Sequence, residues 1–142
     1  MKTKSAKAKG RRACVEVKEL LLAQAPELRS QDIFIPVTSQ PGEDIRLSEK
    51  AEKTFPFLFE VKNQESIQIW QAYKQARSQK KRATSCCYEK YPIVFFKRNR
   101  SEILVCLSAK DFLKLVTERS SKCHSNQKPS EKNASNSFEK EK

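Results

Sequence analysis

The sequence has little histidine, little glycine and no long hydrophobic run. It contains one histidine, His124, and two glycines, Gly10 and Gly42. His124 falls in a polar C-terminal segment, which argues against serine–histidine and cysteine–histidine nucleophilic schemes because these need a positioned imidazole. Two isolated glycines form neither a GxxxxGK phosphate loop nor a dinucleotide-binding fingerprint. We therefore expect no small-molecule cofactor.

Membrane and disulfide signals are also missing. No apolar run reaches the roughly 20 residues that span a bilayer, and the N-terminus lacks the apolar region of a secretory signal. The cysteines are odd in number and contain no CxxC pair, which argues against a disulfide framework and against a zinc ribbon. They are Cys14, Cys86, Cys87, Cys106 and Cys123. We expect reduced thiols in a cytoplasmic protein with no membrane partner.

What the sequence has in excess is positive charge. The 142 residues carry a formal net charge of +12, and 32% of them are charged. The length suits one domain. A basic excess of this size favours a polyanion as partner, because neutralising phosphates releases condensed counterions. DNA is the predicted partner, and the competing interpretation is that the basic excess serves only solubility.

Polarity divides the chain into three parts. Residues 1–12 are too polar and too self-repelling to bury a surface, so we expect a flexible basic arm. Residues 13–119 carry periodic apolar patterns and should form the folded domain. Residues 120–142 are rich in serine, asparagine, lysine and glutamate, and we expect a disordered polar tail.

Apolar periodicity in the domain predicts an α/β fold of order α-β-β-β-α-β-β-α. A continuous apolar run at 91–97 follows a predicted helix, which is typical of a buried strand parallel to the preceding one. The fold should be a mixed central β-sheet flanked by helices. The predicted helices are 13 to about 26, 64–79 and a last one from 108, and the predicted strands are 32–37, 45–48, 55–62, 91–97 and 102–107.

The central stretch brings two carboxylates and an amine together. In a strand over 55–62 side chains alternate between faces, so Glu60 and Lys62 share the face opposite to the phenylalanines. Asp44 begins a second alternation, in which Ile45 lies on the apolar side. Antiparallel pairing that buries both apolar sets brings Asp44 near Glu60 and Lys62. Two carboxylates on a basic surface suit a hard divalent cation such as Mg²⁺.

Asp44 followed by Glu60-Val61-Lys62 at the end of a hydrophobic strand resembles the PD-(D/E)xK nuclease superfamily, with its phage and Holliday junction resolvase-like members the most similar. Lys9-Gly10, the SQPGED segment, FPFLFEVKNQE, Gln75-Ala76 and FFKRNR extend the resemblance along the chain. Pro41-Gly42-Glu43 stands where the namesake Pro-Asp would be sought, so Asp44 is the only aspartate available there.

The resemblance implies a restriction-endonuclease-like core and an endonuclease that hydrolyses DNA phosphodiester bonds with Mg²⁺ or Mn²⁺, including branched, Holliday junction-like DNA. It implies a phage or bacterial origin and, by analogy with resolvases, a homodimer. Asp44, Glu60 and the Val61 carbonyl would hold the metal, Lys62 would orient or activate the attacking water, and Gln75 would belong to the active-site set.

The resemblance also places an acidic residue of the first helix at the metal. Glu16 lies at the border of the predicted buried face, whereas Glu19 is turned farther toward solvent, so Glu16 is the better candidate. The alternative is that Glu16 is an ordinary solvated helix charge.

Basic clusters, a turn and a glutamine stripe are candidate contacts for the nucleic-acid backbone. The resemblance places the turn with Ser39 and Gln40 by the active site, although turn residues need no such role. Gln64 begins a stripe of glutamines that are either contacts or simply solvated. The predicted contacts are Lys9, Arg11, Arg12, Ser39, Gln40, Gln64, Arg77, Lys80, Lys81, Arg82, Lys97, Arg98 and Arg100.

Two other interpretations remain open at this point. Glu60 and Lys62 can form an ordinary surface ion pair on one strand face, and such pairs are nearly neutral in energy. The chain can also be a non-catalytic basic protein that binds nucleic acid. Only a hydrolase requires that Asp44, Glu60 and Lys62 converge.

Overall fold

The computed structural model describes residues 4–37, 42–79 and 89–124, and only the backbone of residues 119–124. The chain divides into two compact units, Met1–Ser108 and Ala109–Lys142. The first unit holds the candidate site and every strand of the described residues, and the second begins with the helix over 109–124. In chain order the elements are α1 (Lys4–Gln24), β1 (Ile33–Phe34), β2 (Arg46–Leu47), α2 (Glu49–Thr54), β3 (Phe57–Asn63), α3 (Ile69–Gln79), β4 (Tyr91–Lys97), β5 (Leu104–Cys106) and α4 (Ala109–His124).

The main sheet has the order β3-β4-β5. β3 and β4 are parallel with Phe59 opposite Ile93, and β4 and β5 are antiparallel with Phe95 opposite Val105. The parallel pairing confirms the sequence prediction, because the apolar run at 91–97 follows a crossover helix, and the antiparallel pairing arises because the chain then turns back as a hairpin. The fold is therefore mixed α/β, with a small mixed sheet flanked by helices.

The predicted meander before β3 is only partly present. β1 and β2 form a separate antiparallel pair, and a single antiparallel bridge, Ile45 to Phe59, connects this region to the main sheet. The prediction of a strand over 32–37 is too long, because β1 contains two residues and Pro36 has no backbone N–H for a longer ladder.

Helix α2 lies between two predicted strands, in a segment where the sequence pattern predicted neither a helix nor a strand. Ser48 caps it by accepting a hydrogen bond from the Ala51 backbone N–H at 3.3 Å, and Glu49 and Glu52 lie in its first turn. A serine cap and early acidic residues both stabilise a helix N-terminus. The sequence thus contained a helix-start signal that alternation did not reveal.

Three predicted helix boundaries are also wrong. Helix α1 begins at Lys4, so residues 4–12 of the expected flexible arm are helical; their alanines and lysines are good helix formers. Helix α4 continues to His124, past the expected end at 119. Helix α3 begins at Ile69 rather than 64, because the Gln64 N–H donates to the Lys97 carbonyl at 3.2 Å and continues the strand pairing. Residues 1–3 and 125–142 of the predicted tails lie outside the described ranges.

The two faces of β3 and β4 are covered by different helices. On one face, α1 contributes Cys14, Val17 and Leu21 to an apolar cluster that contains Phe59 and Ile93. On the other face, Ala72 and Ala76 of α3 pack against Val94. Because side chains alternate along a strand, Phe59 faces α1 and Glu60 faces α3. No helix in the described ranges combines the length and hydropathy needed to cross a bilayer.

Phe59 should carry a large share of the stability of the first unit. Its side chain is fully buried, and its ring stacks on Phe95 at a centroid distance of 5.7 Å. We expect Phe59→Ala to lower the free energy of unfolding by about 3–5 kcal/mol in urea denaturation. Phe34 is 64% exposed, so Phe34→Ala should change the free energy of unfolding by less than about 0.5 kcal/mol. Equal losses in the two variants would contradict this core assignment.

Candidate active site

A cleft of about 680 Å³ lies between the first half of α1 and the C-terminal half of β3. Asp44, Glu60, Val61, Lys62 and Gln75, all predicted as site residues, line it together. Its α1 side carries Lys7, Lys9, Gly10, Arg11 and Cys14. With Glu43, which also lines it, the cleft therefore combines three carboxylates with several cations.

Asp44 is held at the edge of β3 by two hydrogen bonds. Its backbone N–H donates to the Phe59 carbonyl at 3.1 Å, and its Oδ2 accepts from the Val61 N–H at 2.8 Å. The antiparallel bridge between Ile45 and Phe59 places Asp44 beside Glu60. This is the register that burial of both apolar sets requires.

Glu60 is a buried carboxylate with a partner on each oxygen. Its side chain is 1% exposed, and its Oε1 pairs with the Lys62 ammonium at 2.5 Å. Its Oε2 accepts a hydrogen bond from Gln79 Nε2 at 3.0 Å. Burial, and next the negative charge of Asp44, raise the pKa of Glu60, while Lys62 and Gln79 act in the opposite direction.

Two glutamines of α3, which lie one turn apart, each form a hydrogen bond with one member of the Glu60–Lys62 pair. Gln75 Oε1 accepts a hydrogen bond from Lys62 Nζ at 3.0 Å, and Gln79 donates to Glu60. Residues four apart on a helix lie on the same side, and the distance between them is close to that between alternate residues on a strand. Gln75 and Gln79 can therefore contact Lys62 and Glu60, respectively. Gln79 was missed in the sequence. Its spacing of four from Gln75 was the available signal.

Cys14 is a second neighbour of the site that sequence reasoning did not identify. Its thiol lies buried on α1 against the cleft. Burial, followed by the charges of Asp44 and Glu60, raises the pKa of Cys14 to about 12. The thiol is therefore protonated at neutral pH and acts as a small apolar wall rather than as a nucleophile or metal ligand.

The structure places Glu16, which was predicted as a metal ligand, outside the cleft that contains Asp44 and Glu60. Glu16 Oε2 pairs with Lys97 Nζ at 2.5 Å, in a second groove that also contains Glu19 and Ile103. The reason is helical geometry, because two positions along α1 from Cys14 correspond to a rotation of about 200° away from the cleft. Among residues whose side chains are described, no three of His, Cys, Asp and Glu are grouped to hold a metal ion.

The remaining predicted contacts separate into three groups. Lys9, Arg11 and Gln64 line the cleft, and Lys9 also contacts Glu65 at 3.5 Å. Arg12, Arg77, Arg98 and Arg100 are exposed but do not line it, and Lys97 is engaged by Glu16. Ser39, Gln40, Lys80, Lys81 and Arg82 lie outside the described residues. Lys7 also lines the cleft. It was not among the predicted contacts, because its segment was expected to be a flexible arm.

Asp44 and Glu60 are the residues of the cleft that could hold a small divalent cation. Asp44 and Glu60 supply carboxylate oxygens, and Mg²⁺ is commonly bound by one or two carboxylates with water completing its shell. Burial is the main cause of the raised pKa of Glu60 and the charge of Asp44 is the second, and a positive charge between the two carboxylates would offset their repulsion.

Comparisons with known proteins identify no relative: no family model, no curated protein and no solved structure matches this chain. The resemblance to the PD-(D/E)xK superfamily therefore stays a prediction from the residues of the central stretch.

The environment of Glu60 should make stability depend on pH. A raised pKa means that the folded state binds the proton more tightly than the unfolded chain, so Glu60 lowers the free energy of unfolding as pH rises from its ordinary value of 4.5 through the raised value. Glu60→Gln removes this penalty. We expect the free energy of unfolding of Glu60→Gln to increase relative to that of the wild type as pH rises. At neutral pH the free energy of unfolding of the variant should be the larger of the two.

Urea denaturation at pH values between about 4 and 8 measures this difference. Glu102→Gln, at an exposed position, is the matched control and should show no such trend. A difference between Glu60→Gln and wild type that shrinks with rising pH would show that the ion pair with Lys62 outweighs burial.

Proposed function

We propose that this protein is a metal-dependent endonuclease that hydrolyses DNA phosphodiester bonds. The observation that carries the proposal is the convergence of Asp44, Glu60 and Lys62 in one cleft, with the cations of α1 on its opposite side. A structural ion pair between Glu60 and Lys62 has no need of a second carboxylate clamped beside it. Hydrolysis of a phosphodiester uses all three groups.

The two carboxylates would hold Mg²⁺ or Mn²⁺, with the Val61 carbonyl as a further oxygen donor. Bound there, the ion would polarise the scissile phosphate and lower the pKa of the attacking water. The protein contributes the positions of the oxygens. Asp44 is fixed by the Val61 N–H, and Glu60 by Gln79, so neither carboxylate needs to be ordered when a substrate arrives.

Lys62 would act directly on the substrate. Its ammonium lies between Glu60 Oε1 at 2.5 Å and Gln75 Oε1 at 3.0 Å. If Glu60 held a cation, its contact with Lys62 would weaken, and Gln75 would hold the amine at the cleft. From there the ammonium can orient the attacking water and stabilise negative charge that develops on the phosphate.

The cations of α1 would hold the DNA backbone above these groups. Lys7, Lys9 and Arg11 line the cleft, and the chain as a whole carries a net charge of +12. Contacts of this kind neutralise phosphates without reading bases, so affinity should depend steeply on salt and little on sequence.

Two further parts of the proposal follow from the resemblance of the central stretch. The parallel β3–β4 pair, crossed over by α3 and covered on its other face by α1, supports a restriction-endonuclease-like core. Cutting both strands of a branched DNA would require two active sites, so we propose a homodimer for that activity.

The competing function is non-catalytic binding of nucleic acid. It is favoured by one observation, that both Glu60 oxygens already have partners within the protein. Under that alternative the network only stabilises the packing of α3 on the sheet. The two functions differ in whether removing the charges of the carboxylates affects cleavage or only stability.

Asp44→Asn and Glu60→Gln should each lower the single-turnover rate of DNA cleavage with Mg²⁺ or Mn²⁺ by at least about 100-fold. Each substitution removes an oxygen charge that would hold the metal. DNA binding in chelator should persist or strengthen, because a negative charge facing the phosphates is lost. Fluorescence anisotropy with unrelated duplexes and branched DNAs measures the binding.

Lys62→Met should lower the cleavage rate to a similar extent while leaving Mn²⁺ binding intact, and Glu102→Gln on the surface is the control with wild-type activity. Thermal melting of each variant separates lost chemistry from lost structure. The proposal fails if the folded wild type cleaves none of a panel of linear and branched DNAs, or if Asp44→Asn and Glu60→Gln cleave like the wild type.

A further inference from the structure

Helix α3 has an exposed aromatic side chain on the face that points away from the sheet. Trp70 is 86% exposed, and it is the only tryptophan in the chain. Lys74 and Arg77, four and seven positions later, are also exposed. Residues at these spacings lie on one side of a helix. The opposite side holds the buried residues Ala72 and Ala76.

The charge of this outer stripe is positive only. Helix α3, IWQAYKQARSQ, contains no acidic residue, so nothing within the helix neutralises Lys74 or Arg77. An indole with its face open to solvent beside two cations is complementary to a nucleotide, because every base has a π-face and every phosphate a negative charge. Acidic partners would match the cations but would leave the aromatic surface unexplained.

We propose that the outer face of α3 binds unpaired nucleotides of DNA, with a base stacked on Trp70 and the flanking phosphates held by Lys74 and Arg77. In duplex DNA the bases are already stacked on their neighbours, so stacking on a protein side chain requires a single-stranded or extruded nucleotide. The inference deepens the proposed function and rests on its DNA-binding part. It assigns to the enzyme a substrate class, DNA with a single-stranded segment.

The stripe lies on the same helix as one residue of the cleft, although on a different side of that helix. Gln75, which is adjacent to Lys74 in the chain, lines the cleft and holds Lys62. A strand that passes the cleft and an unpaired nucleotide on Trp70 would therefore contact the same helix. The stripe would position substrates that carry an unpaired segment beside the scissile bond.

Tryptophan fluorescence tests the inference directly, because Trp70 is the sole reporter in the chain. The full chain is titrated in chelator with a labelled short oligothymidylate and with a blunt duplex, and anisotropy of the label records binding in parallel. We expect the oligothymidylate to quench the fluorescence and to protect it from acrylamide. The duplex should bind with little change in the fluorescence.

Variants separate stacking from charge. Trp70→Ala should weaken binding of the oligothymidylate by about 10- to 100-fold, Trp70→Phe should retain most of the affinity, and neither should change duplex binding by more than about twofold. The matched control is Phe34→Ala, which removes another exposed aromatic ring. Lys74→Gln and Arg77→Gln should each lower the slope of log affinity against log salt by about one.

An oligothymidylate that binds without changing Trp70 fluorescence, or that binds Trp70→Ala like the wild type, overturns the inference and leaves the proposed hydrolysis standing. Self-association that is lost in Trp70→Ala while DNA affinity is kept also overturns it, because the stripe is then an interface between copies. Quenching without any cleavage in Mg²⁺ or Mn²⁺ supports the inference and overturns the proposed hydrolysis instead.

Discussion

The burial of one carboxylate, that of Glu60 beside Asp44, is the constraint on which the rest of the site depends. Removing a charge from water costs several kcal/mol even after relaxation, and a nearby negative charge adds to the cost. Lys62 and Gln79 offset part of it by binding the two Glu60 oxygens. An apolar residue in place of a buried ion pair is often at least as stable, so folding alone does not require this pair.

The helices on the two faces of the sheet have distinct tasks. Ala72 and Ala76 are small enough for α3 to approach the sheet closely, which buries Glu60 and brings Gln79 to it. Helix α1 supplies Val17 to the core on one side and basic residues to the cleft along its first turns. The packing of α1 and α3 on the sheet therefore stabilises the domain and also positions the carboxylates beside cations.

The strands could be predicted from the sequence better than the helices. Two-residue alternation and the apolar run at 91–97 predicted the parallel β3–β4 pair and the approach of Asp44 to Glu60. Helical geometry accounts for the position of Glu16 outside the cleft, because two residues along α1 from Cys14 correspond to a rotation of about 200°. The start of α1 at Lys4 was missed because a polar, charged segment was interpreted as disorder, whereas its alanines and lysines favour a helix. The spacing of four between Gln75 and Gln79 is visible in the sequence, but the hydrogen bond from Gln79 to Glu60 depends on how α3 packs on β3.

The central claim is that Asp44 and Glu60 together hold a divalent cation. Anomalous diffraction from crystals soaked in Mn²⁺ tests it most directly, because it locates the ion without depending on activity. We predict an anomalous peak that contacts an oxygen of Asp44 and an oxygen of Glu60, with the Lys62 ammonium withdrawn from Glu60 and still bound to Gln75. Mn²⁺ bound only elsewhere, with the Glu60–Lys62 contact intact at saturating metal, would contradict the account.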